Sequence, residues 1–220
     1  MLKIPNNHYL DHNGVLHQKD IDPDYQKQYQ SSYLDHYKNF GNEINILRLA
    51  YIEGAIGLVN TLLDIGYGTG NFLKHCNENN IICSGYDIIK DSKIMEDLRS
   101  DDIQVFEDFN DIFNTKYDVI TLYDTLEHIK DINFIRNLKC NYLVISIPHR
   151  PYLIKENNIE NWHHFKPNEH LHYFNLASME SFLDENGYKI IHAGPVEDAI
   201  RKGPYPNILT VIAKKDNVNF

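Results

Sequence analysis

A change of period at Thr61 constrains this chain more than any other feature. From there, short apolar runs alternate with helical stretches: Thr61–Ile65 then Asn71–Asn77, and Ile81–Tyr86 then Ser92–Arg99. The pattern continues through Ile103–Phe106, Asp118–Tyr123 then Leu126–Ile132, and Tyr142–Ile147. Strands alternating with helices predict βαβ units and a doubly wound parallel sheet covered on both faces. The end reads differently. Tyr188–Ala193 and Ile208–Ala213 are strand patterns joined by a Pro- and Gly-containing loop, which predicts an antiparallel hairpin at one sheet edge.

Upstream of Thr61 the pattern is helical or irregular. The first twenty residues are polar and rich in His and Asn, as expected of an arm or irregular cover. Asp22-Pro23 reads as an N-cap and first helical residue. Tyr25, Tyr29, Tyr33 and Tyr37 follow at i, i+4 spacing, and a second helical pattern starts near Asn42 with Ile44, Leu47 and Tyr51 on one side. The expected organisation is an N-terminal arm and helical cap over 1–60, then one α/β domain over 61–220 with a Pro-, Asn- and His-rich lid near 148–174. At 220 residues and 42 % hydrophobic, the chain can bury a sizeable core as one structural domain. Lys and Arg number 21 against 31 Asp and Glu, a net charge of −10 that weakens broad attraction to nucleic acid or anionic membranes. Cys76, Cys83 and Cys140 are odd in number and widely spaced, so neither a disulfide framework nor a CxxC zinc site is expected. With no signal-peptide pattern in MLKIPNNHYLDHNG and no transmembrane-length apolar run, a cytoplasmic protein without membrane insertion is expected.

The first strand ends in Leu62-Leu63-Asp64-Ile65-Gly66-Tyr67-Gly68-Thr69-Gly70-Asn71-Phe72, a glycine turn that opens a helix. A dinucleotide fingerprint, GxGxxG, would need glycine at 71, where this chain has Asn71. The segment instead resembles motif I of the class I S-adenosylmethionine-dependent methyltransferases, D-x-G-x-G-x-G. The resemblance implies a seven-stranded Rossmann-like sheet, S-adenosylmethionine as cofactor, and a loop of Gly66, Gly68 and Gly70 facing its methionine part. Asp64 would then join the polar network around its amino group, because a cationic cofactor gains from a nearby carboxylate. Gly85-Tyr86-Asp87-Ile88 ends the second strand with an acid suited to both ribose hydroxyls. Asp108-Phe109 falls where the family places an acid for the adenine amino group beside an apolar neighbour, with Glu107 or Asp111 as alternatives to Asp108. Tyr117 to His128, ending Tyr123-Asp124-Thr125-Leu126-Glu127-His128, resembles the family's fourth strand, usually "DVI…(D/N)xLEH". The resemblance runs from about Thr61 to the C-terminus, closing hairpin included. Tyr123, and Tyr29 or Tyr33 from the tyrosine stripe, are expected at the cofactor, with Arg48 a further candidate for its carboxylate.

The methyl acceptor is expected beyond the fourth and fifth strands. Ser146 to Tyr152 leaves the fifth strand, and the lid supplies Trp162-His163-His164-Phe165-Lys166-Pro167-Asn168-Glu169-His170-Leu171-His172-Tyr173-Phe174. This run resembles "HxxPxEHLHxF", which recurs in one broad branch of the class, and more loosely the ubiquinone-pathway O-methyltransferases. No substrate carries over from so broad a group. His149, His164 or His170 is the candidate base, since histidine exchanges protons near neutral pH. Arg150 is the candidate anchor for a substrate carboxylate or phosphate, and His128 and Trp162 are further substrate-side candidates. No metal is assigned, because His170 and His172 at i, i+2 match no standard structural-zinc spacing. The chain lacks the D/N/S-P-P-Y/F/W pattern of amino-methylating DNA enzymes and a Pro-Cys nucleophile. A small-molecule acceptor is therefore preferred over a nucleotide or nucleic-acid base, with a non-catalytic cofactor-binding protein as a third reading and a homodimer left open.

Overall fold

The computed structural model describes residues 4–25, 41–152, 158–203 and 206–216. Among them, seven strands form one sheet: β3 (Thr61–Ile65), β4 (Ile82–Tyr86), β5 (Gln104–Phe106), β6 (Tyr117–Tyr123), β7 (Cys140–Pro148), β9 (Tyr188–Gly194) and β10 (Ile208–Lys215). Their spatial order is β5-β4-β3-β6-β7-β10-β9. β5, β4, β3, β6 and β7 run parallel, while β10 lies antiparallel to both β7 and β9. This is the expected Rossmann-like sheet with its antiparallel hairpin. The order reverses between β3 and β6, and such a switch point opens a crevice at the carboxyl ends of the strands.

Strand alternation loads both faces. Leu63, Ile65, Ile120, Leu122, Leu143 and Ile145 point into one core, which is closed by α4 (Leu176–Glu185) through Met179, Phe182 and Leu183. Leu62, Val119, Val144 and Ile212 point into the other. That side is closed by α1 (Asn42–Ile56), α2 (Asn71–Glu78) and α3 (Ser92–Ser100) through Leu49, Ile52, Phe72, Leu73 and Leu98. Caps fix where helices begin. Asp91 accepts from the Ile94 N–H at 3.0 Å at the start of α3, and Asn175 with Ser178 forms a capping box on α4. Among the described residues, no helix is long and apolar enough to cross a membrane.

Two local expectations change. Leu126–Ile132 is not an α-helix: short 3₁₀ helices stand at Leu126–His128 and Ile132–Asn137, separated by extended backbone at Ile129. The N-terminal arm is not irregular. β1 (His8–Leu10) and β2 (Leu16–Gln18) form a hairpin, and β2 pairs with β8 (His172–Tyr173) of the lid. Strands of two or three residues give too little alternation for a sequence pattern to reveal. The expected cap at Asp22 is present, its Oδ1 accepting from the Asp24 N–H at 2.9 Å, while Tyr29, Tyr33 and Tyr37 lie outside the described residues.

The lid has its own apolar centre, in which Leu16, Ile159, Trp162 and Tyr173 are buried together. Arg150 ties it to the hairpin: its Nε donates to the Tyr173 carbonyl at 3.1 Å and its Nη2 to the Gly14 carbonyl at 2.7 Å. Arg150→Met strands both carbonyls and is expected to cost about 1–3 kcal/mol in urea unfolding. Hydrogen exchange should rise in β1, β2 and β8 while β3 and β6 stay protected.

Candidate active site

The site begins at the glycine loop. Gly66, Gly68 and Gly70 all have positive φ, at 83°, 55° and 76°. A side chain would be strained there, and at Gly66 a Cβ would also sit 2.2 Å from Thr125 Oγ1. Asp87, at the end of β4, holds the loop. Its Oδ2 accepts from the Gly68 N–H and its Oδ1 from the Ile89 N–H, both at 2.8 Å. Asp64 on β3 is buried, and accepts from Thr121 Oγ1 of β6 at 2.6 Å. Burial raises both carboxyls: Asp87 moves above its ordinary range despite the two N–H bonds, and Asp64 rises from 3.8 to about 6. Asp64 is also pushed up by the charge of Asp87 and pulled down by Thr121 and Arg48.

A cleft of about 510 Å³, open solvent at its mouth included, lies above this loop. Its lining includes Asp64, Gly66, Gly68, Thr69, Asn71 and Phe72 from the loop and α2, Tyr123 from β6, and Ile44, Asn45 and Arg48 from α1. Arg48 was a secondary expectation, and the fold gives it a central place. Its guanidinium sits 3.8 Å from the centre of the Tyr123 ring, and its Nε donates to Glu197 Oε1 at 2.8 Å. Arg201 completes a buried network, donating from Nη1 to Asp124 Oδ1 at 2.8 Å and placing Nε 2.6 Å from Glu197 Oε2. Burial opposes these charges, but Glu197 raises Arg48 overall, and Arg201 with Arg48 lowers Asp124 overall. Glu197 and Arg201 lie in and beside a 3₁₀ helix, Val196–Ala199, that folds the β9–β10 connection over the strand ends. In the sequence, Glu197 to Lys202 before Gly203-Pro204 reads equally as a short helix over this edge or as a connector, and the fold makes it a short helix.

The remaining expected cofactor residues lie around the ends of β4 and β5. Ile88 is 64 % exposed, which leaves an apolar side chain open beside Asp87. Phe109 is half-buried and stacks edge-on with Tyr86, Phe113 and Phe134. Asp108 is exposed and caps the 3₁₀ helix Phe109–Phe113, accepting from the Asn110 N–H at 2.8 Å.

The lid histidines have more specific surroundings than their sequence cluster suggested. His163 and His164 both point Nε2 at Asn207 Oδ1, at 2.8 and 2.7 Å, and burial lowers His164 to about 4. His170 is buried, its Nδ1 donating to the His164 carbonyl at 2.9 Å. His128 does the same toward the Glu169 carbonyl at 2.7 Å. His172 turns away from the strand ends, with Nδ1 2.7 Å from His17 Nδ1 and Nε2 donating to the Ile129 carbonyl. Trp162 is buried in the lid core, within 5.5 Å of the His164 ring. Arg150 spends donors on backbone carbonyls as described above. His149 follows β7, and its Nε2 is buried without a hydrogen-bond partner.

A family model described as "Methyltransferase domain" matches residues 27–193, and this chain belongs to that family. Its fold is that of the class I S-adenosylmethionine-dependent methyltransferases. Solved structures agree on the fold at low identity. The 1,6-didemethyltoxoflavin-N1-methyltransferase of Burkholderia thailandensis, with bound 1,6-didemethyltoxoflavin and S-adenosylhomocysteine, superposes with a TM-score of 0.63 at 14 % identity, covering 96 % of this chain and 99 % of that one. The magnesium protoporphyrin IX methyltransferase of Synechocystis PCC 6803, with bound SAH, gives 0.60 at 12 % identity, with 87 % and 98 % coverage. The 16S rRNA methylase ArmA gives 0.54 at 21 % identity, with 87 % and 96 % coverage. No curated protein matches the sequence.

The raised pKa of Asp64 has a signed consequence. Between 3.8 and about 6 the folded chain holds a proton that the unfolded chain has released. The stability tied to this group is therefore full below the lower value and lost as pH rises through the upper one. Asp64→Asn, which can still accept from Thr121, should remove that fall. Relative to wild type it should gain on the order of 3 kcal/mol between about pH 4 and pH 7.5 in urea unfolding. Equal pH slopes in the two proteins would show that Asp64 titrates normally.

Proposed function

We propose that this chain binds S-adenosylmethionine in the cleft above the glycine loop and transfers its methyl group to a small-molecule acceptor at oxygen, nitrogen or carbon. The observation that carries this reading is the pair of buried carboxylates, Asp64 and Asp87, beside a loop whose Gly66 and Gly68 line the cleft. A buried acid with little compensation favours a cationic ligand, and a pyrophosphate would be repelled.

In this reading Asp64 faces the ammonium of the cofactor. Asp87 takes the ribose hydroxyl hydrogens on the lone pairs left beside the Gly68 and Ile89 N–H bonds. Ile88 covers one side of the adenine, Phe109 supports the other, and Asp108 meets its amino group. Arg48, Tyr123 and Tyr33 are assigned to the methionine end, where Arg48 offsets the cofactor carboxylate. The sulfonium is already a good leaving group, so the protein's work is alignment and, for an O–H or N–H acceptor, proton removal. Among the proposed bases, His149 suits the second task best, because its Nε2 has no competing hydrogen bond and burial keeps its ring neutral. His164 is committed to Asn207, and His170 to the arrangement considered below. Arg150, Trp162 and His128 then shape the acceptor side rather than carry charge to it. The net charge of −10, and the absence of both nucleic-acid motifs named above, favour a small acceptor.

Asp87→Asn keeps a side chain of the same shape but loses the charge, and should weaken S-adenosylmethionine binding by about 1–3 kcal/mol in titration calorimetry. Unchanged affinity would remove Asp87 from the ribose. Incubation with labelled methyl donor and separate pools of small metabolites, RNA and DNA should place label in the metabolite pool. Label entering RNA or DNA alone would overturn the acceptor assignment.

A further inference from the structure

A second cluster stands at the carboxyl end of β6, and the cofactor reading makes no use of it. Glu127 is 1 % exposed, and no other residue hydrogen-bonds its carboxylate oxygens; its own backbone N–H and the charge of Arg201 are the compensation it has. A carboxyl group so far removed from water is costly to ionise unless a further positive charge shares the site. Two imidazoles converge on it. One ligand atom from each of Glu127, His128 and His170 lies within 4.8 Å of the others, and the two rings meet edge to face at 4.9 Å.

The outer hydrogen bonds fix how these rings are oriented. His128 Nδ1 is 2.7 Å from the Glu169 carbonyl and His170 Nδ1 is 2.9 Å from the His164 carbonyl. A carbonyl oxygen only accepts, so each Nδ1 carries the hydrogen and each Nε2 is the unprotonated nitrogen of its neutral ring. Burial lowers the pKa of both rings and keeps them neutral. Metal-binding imidazoles have this arrangement, with one nitrogen anchored to a carbonyl and the other toward the ion. His128 Nε2 lies 3.9 Å from Glu127 Oε1.

We propose that Glu127, His128 and His170 bind one divalent first-row transition cation, with Zn²⁺ the ion that best fits the donors. Two imidazole nitrogens and one carboxylate suit zinc, manganese, iron or cobalt, whereas calcium and magnesium prefer all-oxygen sites. An ion about 2.0–2.2 Å from each atom would bring the donors to roughly 3.3 Å apart, a contraction that side-chain rotation can supply. Glu169 Oε1, 3.7 Å from His170 Nε2, stands at the margin for a fourth ligand or a bound water. The spacing of His170 and His172 argued against a metal from sequence. The fold sends His172 to His17 and Ile129, and brings His170 to the distant Glu127-His128 pair instead.

The cluster begins three residues beyond Asp124, whose carboxylate reaches Arg48 in the cofactor cleft at 3.9 Å. An ion there would hold a hydroxyl or carboxylate oxygen of the acceptor near the transferred methyl group. Only that role rests on the methyltransferase reading; binding of the ion does not.

The test uses the full chain, stripped with EDTA and dialysed, then titrated with ZnCl₂ by calorimetry and with CoCl₂ by visible absorption. One ion per chain and a cobalt d–d band are expected. Glu127→Gln, His128→Asn and His170→Asn should each lower zinc affinity about tenfold or more. Zinc should raise the melting temperature of wild type but not of Glu127→Gln, which replaces the buried carboxyl with a neutral group of the same shape and so should fold without metal. No zinc binding by wild type would overturn the proposal, as would equal stoichiometry and affinity in Glu127→Gln and His170→Asn. S-adenosylmethionine titrated into the same samples separates the two readings: lost cofactor binding with retained zinc would sink the enzyme assignment and leave the metal site standing.

Discussion

The hydrogen bond from the Gly68 N–H to Asp87, at 2.8 Å, ties the glycine loop that lines the cleft to the end of β4. One partner lies in the turn that leaves β3 and the other at the end of β4, so the bond forms only when those strands pair in register. That register rests on tight packing beneath it. A Cβ at Gly85 would lie 2.6 Å from Leu73 Cδ1 and 2.8 Å from Tyr67 Cδ1, so α2 and the loop can approach β4 closely only over a glycine. Sheet pairing, helix docking and loop shape thus converge on one carboxylate. The same burial that makes Asp87 a firm anchor leaves it and Asp64 short of positive charge.

The second organising element is the network of Arg48, Glu197, Arg201 and Asp124. It joins α1, the end of β6 and the β9–β10 connection, segments that share no sheet pairing with one another at this point. Buried ion pairs of this kind add little net stability compared with apolar packing, but breaking one partner is costly. Their value here is placement. Asp124 sits at a positive φ of 49°, a conformation that aspartate adopts more readily than most side chains, and two guanidinium groups hold its carboxylate. Arg48 of this network lines the cleft, and Asp124 stands three residues before Glu127.

The sheet was legible in the sequence because its signals are local and repeated. Apolar runs alternating with helical stretches marked β3 to β7, and the loop spacing at Asp64 to Gly70 separated one ligand class from another. Long-range pairing was much less legible. Nothing in Leu16-His17-Gln18 announces a partner at His172-Tyr173, because strands this short have no usable period. The histidine cluster was visible as composition, yet its division into a pair on Asn207, one ring on His17 and one beside Glu127 is set by tertiary contacts. Arg150 illustrates the same limit. An arginine leaving the catalytic edge invites a substrate role, and only the fold reveals the carbonyls of Gly14 and Tyr173 that take its donors.

The central claim is that the buried acids beside the glycine loop select a cationic sulfur cofactor over a dinucleotide. Thermal denaturation of the full chain with S-adenosylmethionine, S-adenosylhomocysteine or NAD tests this most directly, because a ligand that binds only the folded state raises the melting temperature. The account predicts a clear rise with the two sulfur compounds and none with NAD. No rise with either sulfur compound, or a larger one with NAD, would contradict it.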